Sequence, residues 1–174
     1  MKLKLLTLGL LLLITSRFST IYAQDTVIVK RDALAHTEAL NRGDYDTYAN
    51  YMHPKVMTMM GGRDRVIALV KQVIETSEKK GNGIRGSTLG VVSKFYPSGK
   101  EIYCTLPYSL SMNVQGGYAT IESSLLGISS DQGKSWKFIS SGNVPREVIK
   151  KAFPGLPDDL KISPKGKPVV HRED

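Results

Sequence analysis

The hydrophobic pattern of this chain changes its period near the middle, and that change constrains the fold more than any other feature. Residues 66–77 place apolar side chains at the i, i+3, i+4 spacing of an amphipathic helix. Residues 102–114 instead carry an apolar side chain at every second position, which predicts a half-buried antiparallel strand. Helical segments followed by such strands predict an α+β domain.

Two further helices are predicted ahead of this change. Residues 27–42 hold a helical apolar face and end at Gly43, a residue suited to the left-handed position after a helix. Asp44 is predicted to cap a short second helix. That helix stops at His53, because a residue that precedes proline avoids helical backbone angles. Residues 56–60 are then predicted as a short strand.

The sheet is predicted to contain about four strands. Their segments are residues 89–95, 102–114, 118–129 and 135–141. Pro107 has no N–H for the ladder, so it predicts an edge position or a bulge in the second of them. Pro145 then opens a short helix, with proline at its first position.

Residues 155–174 are predicted as a peripheral C-terminal tail. They hold several prolines and scattered charges and show little apolar periodicity. The last part, residues 161–174, has Val169-Val170 as its only apolar cluster. Burial of so little surface does not offset the roughly 1–2 kcal/mol per residue of backbone ordering, so this part is expected to be mobile.

Residues 1–23 have the pattern of an export signal, and residues 24–154 are predicted to form the folded domain. A cationic start is followed by a nearly apolar run over residues 5–14 and by a cleavage site predicted after Ala23. The apolar run is much shorter than the roughly 20 residues of a membrane-spanning helix. The mature protein is therefore expected to be periplasmic or extracellular without stable membrane insertion; a retained anchor is the alternative.

Charge and composition exclude several classes of protein. The 174 residues carry a net charge of +8, but three of the 24 basic residues lie in the signal, which has no acid, so the mature domain is only mildly basic at +5. Together with export, this excludes a nucleic-acid partner. Cys104 is the single cysteine and cannot form an internal disulfide. The three histidines are scattered, so no metal site and no cofactor are predicted.

Two motifs resemble known binding sites, but a structural role is favoured for both. Residues 81–86 match the glycine pattern of dinucleotide-binding loops, but they follow a helix and precede a strand, the reverse of the order that binding requires. Residues 129–136 resemble the Asp-box of secreted proteins, S-x-D-x-G-x-[ST]-W. A single copy predicts a hairpin turn in which Asp131 accepts loop amides, Gly133 takes a positive φ and Trp136 packs below.

Glu122 and His53 are the two weak candidates for catalysis. Glu122 lies in a strand of mostly apolar or hydroxyl-bearing residues, where an inward carboxylate would have a raised pKa and act as an acid or base. Placement toward solvent is the favoured alternative. His53, just before Pro54, is favoured as a brace for the helix end.

The order of helices and strands, with three short passages, resembles the nuclear transport factor 2-like superfamily, in particular its SnoaL-like and ketosteroid isomerase-like branch. Residues 39–46 resemble the A-x-x-x-G-D-x-[DE] passage, His53-Pro54 the end of the second helix, and residues 61–64 the G-R-[DE] start of the third. The resemblance implies a cone-shaped, curved antiparallel sheet packed against N-terminal helices. It also implies a cavity, here lined by Tyr48, Met57, Met59, Tyr108, Met112 and Trp136.

The resemblance does not carry the isomerase chemistry. Residues 57–62 match the stretch that supplies the catalytic aspartate in such enzymes, and they contain no carboxylate. The expected function is therefore a non-enzymatic module that binds a hydrophobic small molecule or a protein. The alternatives are an isomerase or hydrolase acting on a hydrophobic molecule through Glu122 or His53, and a homodimeric interaction subunit.

Overall fold

Four helices precede the sheet in this computed structural model, which describes residues 18–142 and 144–173. The five helices in this part of the chain are α1 (Phe18–Asn41), α2 (Tyr45–Tyr51), α3 (Pro54–Met59), α4 (Arg63–Lys79) and α5 (Arg146–Ala152). Residues 1–17 of the predicted export signal lie outside the described residues. Gly43 has φ +71° after α1, and the Asp44 side chain accepts from the Thr47 N–H at the start of α2, as the sequence predicts.

One antiparallel sheet contains all the strands of the described residues. They are β1 (Ile84–Leu89), β2 (Tyr96–Ser98), β3 (Glu101–Val114), β4 (Gly117–Ser129), β5 (Lys137–Ser140) and β6 (Val169–Arg172). The order is β1-β3-β4-β5, with β2 also pairing β3 and β6 also pairing β4. The sheet is not closed. The α+β class, with N-terminal helices and an antiparallel sheet, is confirmed.

The first face of the sheet packs against α1. Cys104, Leu106 and Tyr108 point to this side, as the alternation in β3 predicts, and meet Val29 and Ala33 of α1 in one buried cluster. All five residues are 9% exposed or less. This cluster fixes α1 across the middle of the sheet.

The second face is also buried, contrary to the prediction that β3 is half-buried. Tyr103 on that face is fully buried, and it belongs to a cluster with Leu126 and Phe153. Leu156 and Leu160 complete this cluster at 2% and 1% exposure.

The C-terminal residues therefore pack on the domain, and the expectation of a peripheral tail is corrected. Beyond Leu160, the Ser124 hydroxyl donates to the Ser163 carbonyl, and the Gly166 N–H donates to the Glu122 carbonyl at 2.7 Å. The chain then ends in β6. Sequence periodicity missed this packing because isolated leucines among prolines show no period.

Residues 56–60 were predicted as a strand, and this prediction is wrong. They lie in and just after α3, which begins with Pro54 at its first position and with the His53 Nδ1 accepting from the Lys55 N–H at 3.2 Å. Gly61 and Gly62 follow with φ of +95° and +99°. The capped start and the glycine end together favour one helical turn.

Pro107 lies where the neighbouring strand is interrupted. β1 pairs with β3 only up to Tyr108, and β2 pairs with β3 only at residues 101–103. Between them the Gly90 N–H donates to the Pro107 carbonyl at 2.8 Å. A Cβ on Gly90 would lie 2.8 Å from the proline ring, so only glycine fits opposite it. β1 therefore ends at Leu89, the residue at which the sequence predicted the first strand to begin.

Candidate functional site

The aromatic residues predicted to line a cavity lie in the core on the α1 side of the sheet. Tyr108 and Trp136 are 8% and 0% exposed and belong to the same cluster. Half-buried Tyr48 stacks on His36 with ring centroids 4.3 Å apart. Burial and the nearby Tyr48 raise the pKa of Tyr108 to about 12, so its hydroxyl stays protonated at neutral pH.

The three predicted cavity methionines are not grouped with these rings. Half-buried Met112 lies near the end of β3, opposite Ala119. Met57 and Met59 belong to α3, which packs on the second face of the sheet through Val56. The six residues are divided between two faces of the sheet and do not line one cavity.

Glu122 and His53 are far apart and do not form a catalytic pair. Glu122 is exposed on β4. The His53 N–H donates to the carbonyl of Phe138, whose strand partner is Gly127, five residues along β4 from Glu122. Five strand residues span roughly 17 Å. His53 acts as the cap of α3, the favoured alternative.

The Asp-box residues form the turn that the sequence predicts. Asp131 accepts from the Ser129 hydroxyl at 2.8 Å, from the Ser135 N–H at 3.0 Å and from the Ser135 hydroxyl at 2.6 Å. Gly133 has φ +86°, and Trp136 is buried beneath the loop. Because the carboxylate is engaged within the turn, it has a structural role.

An open depression lies beside this turn, but its lining does not bring reactive side chains together. Its volume is about 590 Å³, and its walls include exposed Lys100 and Lys134 and the engaged Asp131. Solvated lysines around a satisfied carboxylate are typical of an ordinary polar surface. We therefore place the candidate site elsewhere.

A smaller groove on the second face of the sheet has entirely apolar walls. It measures about 240 Å³ and lies between α3, β5 and α5. It is lined by Val56, Met59, Met60, Ile139, Val144, Val148, Ile149, Ala152 and Phe153. Met59 is 62% exposed and Val148 is 46% exposed. Large apolar side chains that line an open depression together are characteristic of binding surfaces.

Local sequence signals build the two walls of this groove. α3 begins at the cap formed by His53, and α5 begins directly after Pro145, whose fixed φ suits a helix start. The floor is formed by Ile149 and Phe153, which are 3% and 4% exposed. Methionine side chains have several rotatable bonds, so the wall that contains Met59 and Met60 can adapt to ligands of different shape.

A cationic group lies beside the groove. The Lys55 Nζ is 5.4 Å from the centroid of the Phe153 ring, and the His53 ring meets the same phenyl ring edge-on at 4.7 Å. Burial lowers the pKa of His53, and nearby Lys55 and Lys137 lower it further while Glu101 opposes them. His53 is therefore neutral at neutral pH, and Lys55 supplies the positive charge.

The sequence does not predict the groove, because its two walls, α3 and α5, lie more than 80 residues apart in the chain. In addition, the sequence predicts a strand where α3 lies. The sequence signal was the Val-Met-Thr-Met-Met run of residues 56–60. On an α-helix, such a run exposes methionines that a buried strand would hide.

The described residues contain no group of three side chains that could hold a metal ion. Within the same part of the chain, the helices are too short or too polar to cross a bilayer. Comparison of the sequence with protein-family models, with curated proteins and with solved structures found no significant match.

Proposed function

We propose that this protein is an exported, non-enzymatic binding module that holds an apolar ligand in the groove between α3, β5 and α5. The observation that carries the proposal is the lining of that groove, in which all nine side chains are apolar. Transfer of apolar ligand surface from water contributes about 25 cal/mol per Å². No arrangement of the described residues favours the enzymatic alternative.

The size of the groove limits what it can hold. Its 240 Å³ is below the roughly 300–1,000 Å³ of most small-molecule pockets. A short acyl chain, a single ring system or a few side chains of a protein segment would fill it. The adjacent Lys55 favours a ligand that carries an anionic group beside its apolar part.

We also propose membership of the nuclear transport factor 2-like superfamily. Its support is the position of the N-terminal helices ahead of an antiparallel sheet, together with an ion pair that joins two of the passages that carry the resemblance. Arg63 contacts the Asp46 carboxylate at 2.8 Å and donates to the Asp46 carbonyl at 3.1 Å. The proposal of export depends on the signal pattern of residues 1–23. It is tested by measuring the mass of the protein recovered outside the cytoplasm. We expect the mass of a chain that begins at Gln24, and a full-length mass would contradict cleavage.

The groove is tested by titrating the purified protein with 8-anilinonaphthalene-1-sulfonate, an apolar fluorophore with one negative charge. The wild type is expected to enhance its fluorescence in a saturable manner. Val148→Asp should weaken binding at least tenfold, because it places a charge in the apolar wall. The matched control is Val91→Asp, because Val91 is 77% exposed and lies outside the groove. Equal binding by both variants would refute the groove as the site.

A further inference from the structure

The C-terminal strand β6 covers the outer edge of the first residues of β4. Its register runs from Gly117 opposite Arg172 to Thr120 opposite Val169, and the Glu173 N–H donates to the Gly116 carbonyl at 3.2 Å. Because hydrogen-bonded pairs alternate along antiparallel strands, the His171 N–H also faces β4 while the Val170 N–H faces solvent.

The β4 edge is shaped for the close approach of another backbone. Gly116 has φ +75° and Gly117 has φ +148°. A Cβ on Gly117 would overlap the carbonyl oxygen of His171, so the two strands come together at a distance that only glycine permits.

Side chains around this edge recognise the strand. Arg85 of β1 binds the Glu173 carboxylate through both terminal nitrogens, at 2.9 and 2.8 Å. Its guanidinium also lies 4.6 Å from the centroid of the Tyr118 ring, and Tyr118 stacks on His171 at 4.6 Å. An acid two residues after an imidazole therefore fits this edge.

The same strand buries little apolar surface. Val169 and Val170 are 55% and 52% exposed, and the Arg85 and Glu173 side chains are 44% and 49% exposed. Exposed ion pairs contribute little to stability. Residues 163–168, which connect β6 to the buried Leu160, are exposed and contain Pro164, Gly166 and Pro168. They are held on the domain by hydrogen bonds at Ser163, Lys165 and Gly166. β6 can separate from β4 once these few bonds open, while the core clusters stay intact.

We propose that β6 exchanges between two copies of this chain, so that each β4 edge receives the partner copy's β6 strand and each Arg85 binds the partner copy's Glu173. The occupant is a second copy because the edge is complementary, in backbone and side chains, to this particular strand. A strand released from its own edge leaves unpaired backbone groups on both copies, and exchange satisfies them. This interface is separate from the apolar groove.

The test uses charge reversal in the full mature chain at low ionic strength. R85E and E173R each place like charges together within one copy, and a homodimer of either variant repeats the repulsion. In a mixture of the two variants, exchange places the substituted position 85 of one chain beside the substituted position 173 of the other, where the charges are opposite. It also pairs the native Arg85 of the second chain with the native Glu173 of the first. The dimer association constant of the mixture is expected to exceed that of either variant by roughly tenfold or more. Light scattering after size-exclusion chromatography measures it.

The double variant R85E/E173R should behave as the wild type does. His171→Pro, which removes an N–H from the ladder, should abolish the gain when it is added to both charge variants, whereas Val170→Pro should retain it. Circular dichroism confirms that each variant is folded. A mixture with no more dimer than its components, or a gain that survives His171→Pro, would overturn the proposal.

Discussion

At the scale of single residues, His36 is a buried side chain that couples stability to pH. It is 3% exposed, its ring lies 5.7 Å from that of Phe138, and its Nδ1 lies 3.2 Å from the Tyr48 carbonyl. A carbonyl only accepts, so Nδ1 carries the proton in the neutral ring. Burial lowers the pKa of His36 to about 4, while the hydrogen bond to Tyr48 opposes that shift.

Acidification from pH 7 to pH 5 should therefore destabilise the protein. The unfolded state takes up a proton below its pKa of 6.5, whereas the folded state stays neutral down to about pH 4, so stability falls as the pH falls. At pH 5, this effect of His36 lowers the free energy of unfolding by about 2 kcal/mol. Urea unfolding at both pH values should show it, and His36→Phe should remove that part of the loss. An unchanged pH dependence in His36→Phe would contradict this assignment.

At the scale of elements, local signals predicted most of the helices but misassigned α3. Gly43, Asp44 and Pro145 mark helix ends by their own backbone preferences, so their effects are readable from sequence. α3 begins instead with a histidine cap, which is not among the preferred capping residues. Its run of five residues, four of them apolar, fits a strand and a helical turn equally well. The cap at His53, the glycines after the helix and the packing of Val56 on the sheet together favour the helix.

The cap of α3 gives a prediction about that helix. His53→Ala should lower the free energy of unfolding by about 1 kcal/mol, because the Lys55 N–H loses its acceptor. His53→Asn keeps an acceptor at the cap and should recover most of the loss. Chemical denaturation of the three proteins measures both effects. The same His53→Ala change should also weaken fluorophore binding, because loss of the cap loosens the helix whose other end places Met59 and Met60 in the groove. Equal affinities of the two proteins would show that the cap does not affect the groove.

At the scale of the whole molecule, the two faces of the sheet differ in how far sequence predicts them. The α1-facing core follows from the alternation in β3, since Cys104, Leu106 and Tyr108 all point to it. The opposite core could not be predicted, because it depends on where the chain returns after α5. Leu156 and Leu160 have no periodic neighbours that would indicate a buried face.

This second core should respond strongly to truncation of one side chain. Leu160→Ala is expected to cost about 2–5 kcal/mol of stability, because Leu160 is 1% exposed in a packed cluster. Val170→Ala, in the same C-terminal region but 52% exposed, should stay within about 0.5 kcal/mol. Thermal unfolding of the two variants checks the contrast. Similar melting temperatures would mean that Leu160 does not support the core.

Because Leu156 and Leu160 complete the second core, that core depends on contacts between residues far apart along the chain. Leu160 shares its cluster with Tyr103, 57 residues earlier in the sequence. Bringing such distant residues together costs loop-closure entropy before the contact contributes any stability. We therefore expect the second core to form late in folding, since contacts of long sequence separation slow the folding of a domain.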